Sequence, residues 1–147
     1  MKILEAQSAV LTNLEVYKFL NDQAKQYHDQ KRRGPGNLET IRKELLQYFD
    51  SPPNPLSQKP LPYDTSSIPE LIQRLRPYGM SKGELAMIIN MRPTSVANLN
   101  AVVEDMEERF GEDQQQEIVD IVIEILGQFP PPPKEDDQED AMQTTES

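Results

Sequence analysis

Residue types that carry out reactions are scarce in this chain. Among 147 residues there is one histidine, His28, and no cysteine. A thiolate nucleophile, a disulfide and a Cys-ligated zinc are therefore excluded. His28 stands in a polar stretch beside Gln26 and Asp29. A general base needs a nucleophile within reach and a group that orients its ring, and neither is legible nearby. It reads as a solvated helix residue. No G-x-S-x-G elbow, P-loop or dinucleotide fingerprint occurs, and the few glycines sit at turns and caps. Glu104, Asp105, Glu107 and Glu108 surround Met106. With Met106 turned inward, these carboxylates spread over the exposed arc of a helix, which is a solvated face that can answer a basic partner and not a cation site. Glu112 and Asp113 open a helix, where carboxylates complement the dipole. The expectation is a protein without catalytic residues, cofactor or metal.

Binding motifs are also few. Lys31-Arg32-Arg33 has the residue types for a nucleic-acid contact or a localisation signal, but three basic residues in a turn read first as a solubilising loop, and Pro130–Pro133 reads as a helix stop more than an SH3 or WW polyproline ligand. The formal charge is −10, and the last fourteen residues, Lys134–Ser147, hold six carboxylates against one lysine. The chain lacks the basic footprint of a protein that grips phosphate backbones unaided. Absence of cysteine suits a reducing compartment. The start, Met1-Lys2-Ile3-Leu4-Glu5, has no long apolar run, and no segment approaches the roughly 20 apolar residues that span a bilayer. These features point to an intracellular protein, cytoplasmic or nuclear, with no membrane partner.

The elements that must position a binding surface are mainly helical. Residues 1–11 read as an extended lead, with Ile3-Leu4 and then Ala9-Val10-Leu11. No second strand is evident, so such a strand needs something to pair with. Thr12-Asn13-Leu14-Glu15 is a capping box. Behind it Val16, Tyr17, Leu20, Ala24 and Tyr27 recur at helical spacing. A second helix is expected from Asn37 as N-cap, with Leu38, Ile41, Leu45, Tyr48 and Phe49 on one face. Residues 51–66 contain five prolines and read as a linker or surface loop at which the first compact unit ends. Ser67-Ile68-Pro69-Glu70 and Ser81-Lys82-Gly83-Glu84 are two more capping boxes, and Arg92-Pro93 stops the helix that the second one opens. Val96, Leu99, Val103, Met106 and Phe110 predict one continuous helix, with Gly111 as its left-handed C-cap. The last helix, from about Asp113, is apolar on more than one face and so is buried from two directions. The low hydrophobicity and charge of the tail predict disorder.

Three stretches carry a family resemblance. They are Leu11-Thr12-Asn13-Leu14-Glu15-Val16, then Asn37-Leu38-Glu39-Thr40-Ile41, and the block from Met80-Ser81-Lys82-Gly83-Glu84 through Asn90-Met91-Arg92-Pro93 to Glu104, Glu107-Glu108-Arg109-Phe110 and the final apolar helix. In order and spacing the chain resembles the small stalk subunits of RNA polymerases. These include the fourth subunit of polymerase II, its archaeal counterpart and above all the polymerase III member, also called the calcitonin-gene-related-peptide receptor component. The Pro-rich stretch 51–66 and Pro130–Pro133 with the tail fall outside the matching stretches.

The resemblance implies a mainly all-α protein. An N-terminal strand and two helices (1–50) clasp a partner and an HRDC-like helical domain (67–128) follows, while the residues themselves mark the Pro-rich linker between them (51–66) and the Pro-rich stop and acidic disordered tail (129–147). It implies a non-catalytic nuclear subunit of DNA-directed RNA polymerase III. Such a subunit forms a stalk heterodimer with an OB-fold subunit, joins the polymerase core, meets nucleic acid only through its partner, and serves transcription initiation. Ile3, Leu4, Val10 and Leu11 are expected to add an edge strand to that partner, with Val16, Tyr17 and Leu20 as apolar anchors. The surface from Arg92 and Pro93 to Glu104 is the other place where the partner could bind. Two alternatives come from other classes. One is a free-standing HRDC-like nucleic-acid module, which needs a basic face with aromatics. The other is a receptor-signalling adaptor, which the family's other name suggests.

Overall fold

The structure is a computed structural model and describes residues 2–5 and 9–131. Among these residues there are seven α-helices and no strand. They are α1 (Asn13–Asp29), α2 (Gly36–Asp50), α3 (Ser67–Leu75), α4 (Lys82–Met91), α5 (Val96–Asn100), α6 (Met106–Arg109) and α7 (Glu112–Leu126). The mainly all-α expectation holds. The expected N-terminal strand is not seen among the described residues of the lead, 2–5 and 9–11, where a lone strand has no backbone to complete its ladder. The acidic tail from residue 132 onward, expected to be disordered, lies outside the described residues.

Two of the three capping boxes are present. The Thr12 hydroxyl accepts from the Glu15 N–H while the Glu15 carboxylate accepts from the Thr12 N–H at 2.7 Å, which satisfies two orphan amides at the start of α1. Ser81 and Glu84 do the same for α4. The Ser67 box is absent: α3 begins at Ser67 itself, whose hydroxyl accepts from the Asp64 N–H instead. Asn37 is also not a cap, since Pro35 occupies that position in α2.

The expected helix Val96–Phe110 breaks in two. α5 carries Asn98 and Asn100, poor helix formers whose side chains compete for backbone, and Asp105 adopts a left-handed φ of 51° at the start of α6. Leu99, Val103, Met106 and Phe110 are nonetheless all buried, so the apolar spacing reports the inward face correctly and the backbone regularity wrongly. Gly111 likewise is not left-handed. Its φ of −67° and ψ of 164° make it the N-cap of α7.

The body forms where α3 packs on α7 and α5 packs on the same helix. Leu71, Leu75, Leu99, Ile118, Val122 and Leu126 are fully enclosed there. α1 and α2 run antiparallel, Tyr17 meeting Phe49 at one end and Tyr27 meeting Arg42 at the other. Leu14 and Phe49 tie this hairpin into the same core. The stretch 51–66 is not a free linker. It buries Leu56 and Tyr63, and its 3-10 turn Pro55–Ser57 packs on α2. Proline density signals a lost helix, but says nothing against packing, because a proline ring buries apolar area like any other side chain.

Arg92 explains how this stretch is held. It ends α4 in a left-handed conformation (φ 48°, ψ 63°), uncommon for a residue with a Cβ, and it is 1 % exposed. Its Nη1 donates to the Gln58 Oε1 at 2.8 Å and to the Pro55 carbonyl at 3.3 Å. The guanidinium lies over the rings of Tyr63 and Phe129, at 5.0 and 5.3 Å from their centroids. No carboxylate pairs with it among the described residues. Burial therefore depresses its pKa.

A second clamp joins α4 to the α5–α6 turn. Arg109 donates to Glu84 Oε1 at 2.6 Å and Oε2 at 3.3 Å, and to the Glu104 carbonyl at 3.0 Å. Hydrogen bonding from Arg109, with help from the Ser81 amide, lowers the Glu84 pKa to about 2 against partial desolvation.

Both clamps can be tested by substitution. A carboxylate whose pKa falls on folding stabilises the native state fully above its unfolded value of 4.5, and that contribution fades as pH drops toward about 2. Glu84→Gln is expected to flatten the dependence of Tm on pH in this interval. An undiminished slope in the variant would place the acid sensitivity elsewhere. Arg92→Ala should reduce the unfolding free energy by about 3 kcal/mol, as read by urea denaturation, and should expose residues 55–63 to proteolysis. Arg92→Lys should recover less than half of that, since an ammonium lacks the planar face and the fork.

Candidate partner-docking face

The lead before α1 carries large apolar side chains that nothing among the described residues covers. Ile3 and Leu4 are 75 % and 88 % exposed, Val10 and Leu11 62 % and 57 %. Beside this lead runs an open groove of about 650 Å³. Ala9 and Val10 form one wall, Ile68 and Ile72 of α3 and Leu85 and Ile89 of α4 the others, and Glu15 and Lys82 supply charges at the rim.

Local sequence explains why the groove is apolar. In α3 the spacing of Ile68, Leu71 and Leu75 turns those side chains inward, which forces the adjacent Ile72 out to 41 % exposure. In α4 Ile88 and Ile89 are buried, and Leu85 one turn earlier is half-buried at the edge. The Asn13 N–H donates to Asn90 Oδ1 at 2.9 Å, which pins the start of α1 beside the end of α4 and so holds the lead at the groove. A surface of this kind, apolar at its centre with a few polar groups at its rim, suits a protein partner.

The expected site residues divide into three groups. Ile3, Leu4, Val10 and Leu11 are free for a partner. Val16, Tyr17 and Leu20 are half-buried, and Val16 and Tyr17 pack against the chain's own core. Tyr17 is committed internally. Its hydroxyl donates to Asp50 at 2.9 Å and accepts from Lys59 at 2.9 Å, Lys59 lies 4.7 Å over its ring, and Phe49 meets the ring edge-on at 6.0 Å. Arg92 and Pro93 are enclosed in the body and offer nothing to the alternative surface from Arg92 to Glu104, of which Ser95, Ala97, Asn98, Asn100, Ala101 and Glu104 remain exposed. The pair ends α4 and locks stretch 51–66, a role that needs burial and leaves nothing to offer a partner. Glu104 remains exposed, while its backbone is held by Glu84 and Arg109.

Exposed apolar residues also occur where the sequence points to core. Ile41 and Tyr48, expected on the inner face of α2, stand 61 % and 64 % exposed. They occupy the flank beside the stripe of Leu45 and Phe49, and a stripe that wide exceeds what one partner helix can cover. Phe19 is exposed on α1. The groove's Ile72 and Leu85 have a signal in the sequence: adjacent apolar residues on a short helix cannot all face one core. No group of histidine and carboxylate side chains suited to a metal ion occurs among the described residues, and no described helix is long and apolar enough to cross a membrane.

Relatives of this chain are known from two yeasts. DNA-directed RNA polymerase III subunit rpc9 of Schizosaccharomyces pombe is 32 % identical over 137 residues, covering 88 % of this chain and 100 % of the relative. DNA-directed RNA polymerase III subunit RPC9 of Saccharomyces cerevisiae is 26 % identical over 157 aligned positions, covering 83 % of this chain and 98 % of the relative. The model of the family described as RNA polymerase Rpb4 matches residues 10–126, a span that takes in α1 to α7 and nearly all of the groove. The chain belongs to the RNA polymerase Rpb4 family.

Proposed function

We propose that this chain is a non-catalytic subunit of DNA-directed RNA polymerase III, acting in the nucleus in transcription initiation. In this reading it forms a stalk heterodimer with an OB-fold subunit and, through that pair, joins the polymerase core. The observation that carries the docking mode is the pairing of an uncovered apolar lead with an apolar groove. The lead supplies unpaired backbone for strand addition, and the groove receives side chains from the same partner. Similarity over most of the chain to the two yeast polymerase III subunits supports the assignment. The helices from Ser67 to Leu126 would correspond to the HRDC-like domain of the family. The acidic surface from Glu104 to Glu124 makes the partner the main route to nucleic acid.

A docking face of this kind fails when charge is placed in it. Leu11→Asp combined with Ile72→Asp should weaken heterodimer formation by about a hundredfold or more, since each carboxylate would be buried without a partner. Both positions are exposed in the isolated chain, so helicity by circular dichroism should be unchanged. Size-exclusion chromatography with the OB-fold subunit reads the loss directly, and retention of a one-to-one complex would move the interface off the groove. His28→Ala, by contrast, should leave assembly and transcription by the purified polymerase unaltered. His28 is exposed and its one ionic contact among the described residues is the neighbouring Asp29.

A further inference from the structure

Charge is distributed unevenly along this acidic chain. Between Lys25 and Lys43 six basic side chains stand against two acidic ones, whereas from Glu104 to Glu124 nine carboxylates stand against one arginine. The basic set is concentrated at the tip of the α1–α2 hairpin. That tip is remote from the body: α1 meets the rest of the chain through Asn13, Leu14, Val16, Tyr17 and Lys18 in its first turns. Lys31 lies about 20 Å further along the helix axis. The tip is therefore clear of the groove and the lead.

The turn that displays these residues has a fixed geometry. The Lys31 N–H donates to the His28 carbonyl and the Arg32 N–H to the Tyr27 carbonyl, both at 3.0 Å, with Lys31 at a left-handed φ of 51°. That is the double-bonded helix ending in which glycine is the favoured residue, because a Cβ is strained there. Behind it Gly34 lies against the Tyr27 ring and donates its N–H to Glu39 at 2.9 Å, while Arg42 stacks 5.5 Å over the same ring. Lys31 and Arg32 are exposed and have no ion-pair partner among the described residues. Arg33 makes a 3.6 Å contact with Glu39, yet its side chain is 92 % exposed. A lysine thus occupies a position where the backbone favours glycine, and its side chain gives the fold nothing in return.

We propose that the hairpin tip is a direct contact for the phosphodiester backbone of a nucleic acid, made by Lys31, Arg32 and Arg33. Exposed guanidinium forks suit phosphate oxygens, and a lysine adds a mobile point charge. Membership of an RNA polymerase family makes nucleic acid, ahead of an acidic protein or an anionic lipid, the polyanion at hand. The nearby aromatic, Tyr27, is half-buried and already covered by Arg42, so this ring is not free to stack on a base. Binding is therefore independent of sequence, strongly dependent on salt, and weak in the isolated acidic chain.

The test uses the full-length chain and a short fluorescein-labelled oligouridylate, with anisotropy read from about 50 to 200 mM salt. Arg32→Ala combined with Arg33→Ala should weaken binding about tenfold at the lowest salt and lower the log–log salt slope by about 1.4, two single-strand phosphate contacts. Lys31→Gly separates function from folding: Tm should rise while affinity falls. Arg74→Ala with Arg76→Ala, at the end of α3, should leave binding unchanged. Oligothymidylate of equal length distinguishes the two nucleic acids, and equal affinity for both is expected of a backbone contact. No binding at the lowest salt, an unchanged affinity in the arginine variant, or a fall in Tm with Lys31→Gly would overturn the proposal. So would displacement of the RNA by polyglutamate or by phosphatidylserine vesicles at equal charge. Because this assay contains no polymerase partner, failure here leaves the heterodimer assignment to its own experiment.

Discussion

The structure depends on an arginine held without a counterion among the described residues. Arg92 is enclosed where four segments converge: the end of α4, the turn Pro55–Gln58, Tyr63, and Phe129 after α7. A buried cation is expensive, and here two aromatic faces and two oxygen acceptors on Nη1 stand in for a carboxylate, while the buried Nε and Nη2 have no hydrogen-bond partner among the described residues. Gly127 lies close enough that a Cβ there would come within 2.9 Å of Pro62 and 3.3 Å of the guanidinium, so the end of α7 is fitted to the same cluster. This cluster holds the Pro-rich stretch against the body and, together with Leu14, Phe49 and the Asn13–Asn90 bond, sets the angle between the hairpin and the body.

That angle matters to the docking face. The lead comes from the hairpin side, at the start of α1, and the groove wall from α3 and α4. A partner that uses both must find them in one arrangement, and preorganisation of this kind reduces the ordering cost of association. The bond from Asn13 to Asn90 fixes the near end of the arrangement, and the Lys59–Asp50–Tyr17 contacts fix the hairpin against the stretch that Arg92 holds. Of the anchors expected on α1, Tyr17 serves this internal purpose.

The two ends of the hairpin differ in chemistry. One end is apolar and continuous with the core through Leu14 and Phe49, while the other is a polar, basic turn built around Tyr27. The antiparallel helix pair keeps the apolar end and the basic end apart by most of its length.

Local signals in the sequence suffice for much of the fold. Thr12 with Glu15 and Ser81 with Glu84 mark two helix starts correctly, because a capping box involves only neighbours in the chain. The inward faces of α3, α7 and the Val96–Phe110 stretch follow from apolar spacing, and the uncovered lead from the lack of any second strand. Family membership is also legible, through short motifs in order. Tertiary structure alone decides the rest. It turns Ile41 and Tyr48 outward and draws the stretch 51–66 into the core. It also moves Arg92 and Pro93 from an expected surface to the interior. A charged residue followed by proline at a helix end signals exposure in any local reading. Only the simultaneous approach of Pro55, Gln58, Tyr63 and Phe129, each far from Arg92 along the chain, makes its burial favourable.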